Sequence, residues 1–80
     1  MTAQKGRLLS ELKEKAKGNI LGFTDELISS RLMTMGILPG SQIELIRKAP
    51  LRGGFYIKFD NQRIALRSIE AASILVEVSK

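Results

Sequence analysis

The sequence predicts a mainly β protein, a small barrel of about five antiparallel strands with one α-helix near residues 25–35. In several short segments, apolar residues recur at every second position, the period of a half-buried strand. Helical spacing is clear only near 25–35, where one face is apolar (Leu27, Ile28, Leu32, Met35). Strands this short enclose one core if a single antiparallel sheet curls into a barrel, which also removes its exposed edges.

The helix is expected to end at Gly36, since glycine adopts the left-handed conformation that commonly terminates a helix. Ile37 would then fold back onto Leu32, the apolar contact that accompanies this kind of stop. Pro39 and Gly40 suit the two central positions of a type II turn into the next strand. Gly36, Pro39 and Gly40 are therefore interpreted as structural turn residues and not as a chemical site.

The predicted strands cover, in order, 20–23, 42–48, 55–59, 62–67 and 74–78. Asp60 and Asn61 tolerate positive φ and predict a tight hairpin. Residues 68–72 resemble a single capped helical turn. This order predicts an SH3-like barrel. Residues 1–7 are predicted to form a flexible arm, and 8–80 a single domain.

The composition argues against several kinds of chemistry. The chain contains no histidine and no cysteine, so the usual general base, the thiolate nucleophile and the commonest transition-metal ligands are missing. Carboxylate-only sites suit harder ions than Fe(II). We therefore expect no catalytic residue, no metal site and no cofactor. No apolar run approaches the roughly 20 residues of a membrane-spanning helix, and we expect a cytoplasmic protein.

The charge distribution favours an acidic partner. The net charge is +5, and residues 41–67 carry six basic and two acidic side chains. Such a region suits a nucleic acid, an anionic membrane surface or an acidic protein, although a solvated basic surface is an equally simple explanation. Of the four aromatic residues, only Tyr56 is expected to face outward. Because single-strand binding needs stacking platforms, nucleic acid is the weaker alternative.

The main candidate for a docking surface is the basic loop after the strand at 42–48. Arginine is favoured at interfaces because its planar fork binds carboxylates with two hydrogen bonds. The predicted interface residues are Arg47, Lys48, Pro50, Leu51, Arg52 and Arg67. An ordinary solvated hairpin loop would explain the same residues. Arg52, with Gly53 and Gly54 after it, would also suit an arginine presented in trans to a GTPase.

Several short segments occur in a characteristic order: Arg31-Leu32, Met35 to Gly40, Ala49-Pro50, Ala65-Leu66-Arg67 and Glu70-Ala71. With them the chain resembles the ferrous iron transport protein A (FeoA) family from about Leu9 to Val78. That family is a small SH3-like domain, similar also to the C-terminal domain of iron-dependent repressors. Glu14-Lys15 stands where the family tends to have Pro-Gly.

The resemblance implies an accessory role in bacterial ferrous iron uptake, beside a membrane-embedded GTPase transporter (FeoB). It implies a binding module and not an enzyme. We expect it to dock on the cytoplasmic side of that transporter, at the inner face of the membrane, without binding iron itself. A small basic barrel that binds nucleic acid is the alternative. Self-association through uncovered strand edges stays open.

Overall fold

A single antiparallel sheet of six strands dominates the computed structural model, which describes residues 6–51 and 53–78. The elements are β1 (Gly6–Leu8), a 3-10 turn (Leu9–Glu11), β2 (Lys17–Phe23), α1 (Glu26–Thr34), β3 (Gln42–Lys48), β4 (Phe55–Phe59), β5 (Gln62–Leu66), α2 (Ser68–Ala71) and β6 (Ile74–Val78). The strands lie in the order β1-β6-β2-β3-β4-β5. The predicted fold class, including the meander formed by β3, β4 and β5, is confirmed.

The sheet encloses one apolar core. Strands β2 to β6 alternate between buried and more exposed side chains, as expected when one face of a curved sheet is covered. The buried apolar residues are Leu9, Leu12, Ile20, Leu32, Ile37, Ile43, Leu45, Ile57, Phe59, Leu66, Ala71, Ile74 and Val76. They form a single cluster. One core inside one curled sheet is the SH3-like arrangement that the sequence predicts.

Helix α1 contacts this core through a narrow stripe. Its first turn is capped by Asp25, whose Oδ1 accepts a hydrogen bond from the Ile28 N–H (3.0 Å). Leu32 is fully buried and Ile28 packs at the edge of the core. Leu27, however, is 86% exposed and Met35 is 40% exposed, so the predicted four-residue apolar face is too wide. A helix that touches the sheet along one line buries only residues about four apart.

The predicted helix stop is confirmed in detail. Gly36 has φ +92°, and its N–H donates to the Met33 carbonyl at 3.0 Å. The Ile37 N–H donates to the Leu32 carbonyl at 3.1 Å. Leu32 and Ile37 are both fully buried. These two hydrogen bonds and the apolar contact constitute a Schellman motif, so the left-handed glycine directs the chain back into the core.

Both predicted turns have the backbone conformation that their residues favour. In the Pro39-Gly40 turn, Gly40 has φ +91°, and the Ser41 N–H donates to the carbonyl three residues earlier at 3.0 Å. Positive φ at the third position is characteristic of a type II turn. Asp60 and Asn61 have φ +51° and +62°. Two successive positive φ values match the type I′ turn that suits a two-residue hairpin.

The N-terminal strand is a correction to the prediction. Gly6 and Arg7, which we assigned to the flexible arm over 1–7, lie in β1, and β1 pairs with β6. Three residues are too few to show the alternation that identifies a strand. Backbone pairing with β6 fixes the extended conformation of this short segment. Residues 1–5 lie outside the described part of the chain.

Strand β2 also begins earlier than predicted, at Lys17 and not at Ile20. We interpreted Gly18 as punctuation before the strand, but it lies buried within it. A Cβ atom at Gly18 would collide with the backbone oxygen of Glu77 in β6. Glycine is required here because two strand backbones approach closely, and a single sequence does not distinguish that role from a turn.

Candidate functional site

The predicted interface residues gather at one end of the sheet. In the strand register Lys48 lies opposite Phe55, and Phe55 lies opposite Leu66. Arg67 directly follows Leu66, so it lies at the same end as the loop between β3 and β4. We call this region the basic end and define it by Arg47, Lys48, Pro50, Leu51 and Arg67. The sixth predicted residue, Arg52, lies outside the described residues.

The loop from Ala49 to Gly54 is closed by backbone hydrogen bonds. The Ala49 N–H donates to the Gly54 carbonyl (2.9 Å), and the Gly53 N–H donates to the Pro50 carbonyl (3.0 Å). Leu51 lies between them with φ +56° and with 98% of its side chain exposed. A left-handed conformation costs a residue with a Cβ about 1–2 kcal/mol. Leu51 is therefore held in an unfavourable conformation without the compensation of apolar burial.

The base of this loop packs closely against β5. Gly54 has φ +115°, and a Cβ atom there would lie 2.8 Å from the Leu66 carbonyl oxygen. Only glycine permits this approach without a backbone shift. The close contact between Gly54 and Leu66 places Arg67, the next residue, beside the loop.

Arg47 and Tyr56 form an exposed pair next to the basic end. They are opposite each other in the register, where β3 contains an irregularity between Leu45 and Arg47. The Arg47 Cζ lies 5.8 Å from the centroid of the Tyr56 ring, within the range of a cation–π contact. Arginine and tyrosine are enriched at the energetic centres of protein interfaces. Tyr56 was not among the predicted interface residues, although strand alternation already placed it on the outer face.

A second cation–π contact lies in the neighbouring register pair. The Lys48 Nζ is 5.9 Å from the centroid of the Phe55 ring. Phe55 is half-buried and packs against the core, so its ring links the basic end to the interior. The two contacts position cationic side chains over aromatic rings on adjacent strands, which limits their freedom before a partner binds.

Two carboxylates fix the backbone of the basic end. Oε2 of Glu14 accepts a hydrogen bond from the Lys48 N–H (2.9 Å). Oε1 of Glu70 accepts one from the Arg67 N–H (2.8 Å) and so caps the first turn of α2. The Glu70 contact is local and follows from the predicted capped turn. The Glu14 contact joins residues distant in sequence, and no local pattern predicts it.

A shallow cleft of about 350 Å³ lies at the opposite end of β3, near the hairpin between β4 and β5. Its lining residues are Lys17, Gly18, Gln42, Ile43, Glu44, Lys58, Phe59, Asp60 and Asn61. Two lysines and two carboxylates give this lining no net formal charge. None of the predicted interface residues lies there. With three bases against the carboxylates of Glu14 and Glu70, the basic end keeps a net formal charge of +1 and is, of these two regions, the one that favours acidic groups.

The FeoA domain model matches residues 7–78. The chain belongs to the FeoA domain family. The match includes the basic end, the helix stop and all of the described sheet except Gly6. Membership supports a role in ferrous iron transport. A comparison with curated protein sequences gives no match.

Several solved structures are similar to this FeoA domain. A FeoA-like protein from Clostridium acetobutylicum is 34% identical with a TM-score of 0.87, covering 100% of this chain and 92% of that one. Stenotrophomonas maltophilia FeoA, described as a prokaryotic SH3 domain protein complexed with zinc, is 25% identical with a TM-score of 0.74, covering 90% and 94%. A manganese-dependent transcriptional repressor is 17% identical with a TM-score of 0.87; the chain covers 45% of it, and the likeness shows the fold alone.

The donor set of this FeoA domain offers little to a transition metal. Within residues 6–51 and 53–78, no three Asp or Glu side chains lie together in a way that could hold a metal ion. The sequence has neither imidazole nor thiolate to supplement them.

Across the same described ranges, no helix has the length and apolar character to cross a bilayer.

Proposed function

We propose that this FeoA domain is a non-catalytic, cytoplasmic accessory protein of ferrous iron uptake, which docks on the cytoplasmic part of the membrane GTPase iron transporter. Family membership supports the connection with iron transport. The observation that carries the docking proposal is the basic end, where two separate segments bring Arg47, Lys48 and Arg67 together beside an exposed tyrosine. This surface offers charge and aromatic area without the groups of a catalytic centre.

The contacts of the basic end suit a protein partner with acidic side chains. Arg47 over Tyr56 offers a planar guanidinium for a carboxylate and an aromatic face for apolar contact. Basic charges around this pair accelerate association with an acidic surface and reject basic ones. The proposed complex should therefore associate more slowly as salt is raised, because mobile ions screen the attraction.

A binding assay with the transporter purified in detergent tests this proposal. Replacing Arg47 by alanine removes the guanidinium and should weaken capture about tenfold or more, as expected for an interfacial hot spot of about 1.4 kcal/mol or more. Arg31→Ala is the matched control, because Arg31 is an exposed arginine on helix α1. It should leave capture unchanged. Equal affinities for the wild type and Arg47→Ala would contradict the proposed surface.

An arginine presented to the GTPase is a finer version of the same proposal. Such a residue stabilises the charge that develops during phosphoryl transfer, and Arg52 lies in the sequence of the loop at the basic end. GTP hydrolysis by the transporter should then be faster with wild-type protein than with Arg52→Ala. Identical rates would eliminate the catalytic contribution of Arg52 while leaving the docking role intact.

Nucleic-acid binding is the alternative function, supported by the net charge and by the outward-facing Tyr56 beside Arg47. One exposed aromatic ring is a small platform compared with the several that bind successive bases. A mobility-shift assay with mixed single-stranded nucleic acid distinguishes the two functions. Tight binding that decreases steeply with salt would favour the alternative.

A further inference from the structure

The basic end also carries exposed apolar side chains. Leu51 at the loop tip is 98% exposed, and Ile69 in the first turn of α2 is 64% exposed. Leu51 follows β3, and Ile69 lies two positions after Arg67, so both belong to the end at which Lys48 and Leu66 terminate their strands. Large apolar residues and basic residues thus occur together at one end of the molecule.

We propose that this end binds directly to an anionic phospholipid surface, with Leu51 inserted among the headgroups and Lys48 and Arg67 facing their phosphates. This contact goes beyond docking on the transporter, because it requires lipid alone. It would hold the domain at the membrane before or during its encounter with a protein partner.

The shape of the loop favours a bilayer over a protein pocket as the occupant. Leu51 protrudes from the loop, since 98% of its side chain is exposed and two backbone hydrogen bonds that span it close the loop beneath it. Its left-handed conformation is retained although the side chain makes almost no contact within the domain. A bilayer interface accepts a single protruding leucine anywhere on its surface, whereas a protein must supply a matching cavity.

Charge complementarity provides the second part of the argument. Peripheral proteins commonly need two signals for stable attachment, an apolar insertion and a basic patch, because either one alone binds weakly. Lys48, Arg67 and Arg47 supply the basic part. Glu14 and Glu70 also lie at this end and reduce the net formal charge of these five side chains to +1; an oxygen of each accepts a hydrogen bond from a backbone N–H of the basic end. The acids thereby help to fix the backbone that presents the bases.

Vesicle sedimentation tests the proposal with the full chain. Wild-type protein should sediment with vesicles of phosphatidylcholine and phosphatidylglycerol, less so at higher salt, and much less with phosphatidylcholine alone. Leu51→Ser should reduce the partition coefficient about tenfold, because the apolar insertion is lost. Leu27→Ser is the matched control, since Leu27 is a similarly exposed leucine on helix α1, and it should partition like wild type.

Three results would overturn the proposal: no sedimentation of wild type with phosphatidylglycerol vesicles, equal partition of the two leucine variants, or partition independent of phosphatidylglycerol. Binding to the detergent-solubilised transporter separates this contact from the docking proposal. Wild-type protein should sediment with transporter-free vesicles whatever the outcome of that assay, so the two proposals can fail separately. If Leu51→Ser loses the transporter and wild type ignores vesicles, Leu51 fills a protein pocket and the lipid contact is wrong.

Discussion

The connections on either side of strand β3 differ sharply. In the one before it, Gly36 and Gly40 have the positive φ values that only glycine adopts without cost, and Ile37 is fully buried. In the one after it, a leucine has positive φ and projects into solvent. Packing and backbone chemistry explain the first connection completely. They do not explain Leu51, whose exposed side chain the proposed contact outside the domain would use.

This difference separates residues that stabilise the fold from residues that are exposed for contact with a partner. Natural sequences are locally consistent with their folds, and departures from that consistency concentrate at functional sites. The basic end contains such a departure at Leu51, and it also contains the exposed Arg47–Tyr56 pair. The comparison therefore predicts large losses of stability for changes before β3 and losses of binding for changes after it.

The largest stability effect is expected for Leu32→Ala. Leu32 is fully buried at the helix stop, and removing its side chain should lower the free energy of unfolding by about 2–5 kcal/mol. Urea denaturation followed by circular dichroism measures this change. Leu27→Ala, an exposed position on the same helix, should change stability by less than about 0.5 kcal/mol. Similar losses in both variants would show that α1 is packed differently.

The second-largest loss of stability is expected for Gly36→Val. Its nearest neighbour, Phe59 Cε2, would lie 3.8 Å from a new Cβ, so the cost comes from the backbone conformation and not from a collision. A β-branched residue at φ +92° should lower the free energy of unfolding by more than the roughly 1–2 kcal/mol that an ordinary side chain costs there. Gly22→Ala is the matched control, because Gly22 has open space around it and no positive φ. A thermal melt of Gly36→Val that coincides with wild type would contradict the proposed stop.

Lys15→Gly should have a smaller effect of the opposite sign. Lys15 has φ +74°, a left-handed conformation that glycine adopts without a Cβ penalty. Removing the left-handed penalty, less the greater flexibility of unfolded glycine, should raise the free energy of unfolding by about 0.5–1 kcal/mol. The same urea titration measures the gain. A loss of stability would mean that the lysine side chain contributes packing that outweighs its backbone strain.

Leu51→Ser should have the smallest stability effect, within about 0.5 kcal/mol of wild type, because the side chain is almost entirely exposed. The same variant should lose most of its binding to anionic vesicles. Comparing its denaturation curve with its sedimentation profile shows whether binding is lost without unfolding. A strongly destabilised Leu51→Ser would assign the leucine to the fold and remove the contrast between the two connections.

The sequence predicts those parts of this structure that depend on local chemistry. The helix stop at Gly36, the Pro39-Gly40 turn and the Asp60-Asn61 hairpin follow from the residues that occupy them. Strand alternation likewise identifies the meander and its inward-facing residues. These features need no knowledge of distant partners.

Features that depend on long-range contacts could not be predicted in this way. Strand β1 exists because β6 is available to pair with it, and Gly18 is required by the close approach of Glu77. The exposure of Leu27 depends on the width of the contact between α1 and the core. At the basic end, the neighbourhood of Arg67 was anticipated from the meander, whereas the Glu14 contact with Lys48 is set by tertiary folding.

Photocrosslinking in cells tests the central claim that the connection after β3, and not the connection before it, faces the partner. A photoreactive amino acid at Lys48 should yield a crosslinked product that contains the GTPase transporter. The same group at Leu38, an exposed residue of the helix stop, should yield none. A transporter product from Leu38 alone, or equal products from both positions, would contradict the account.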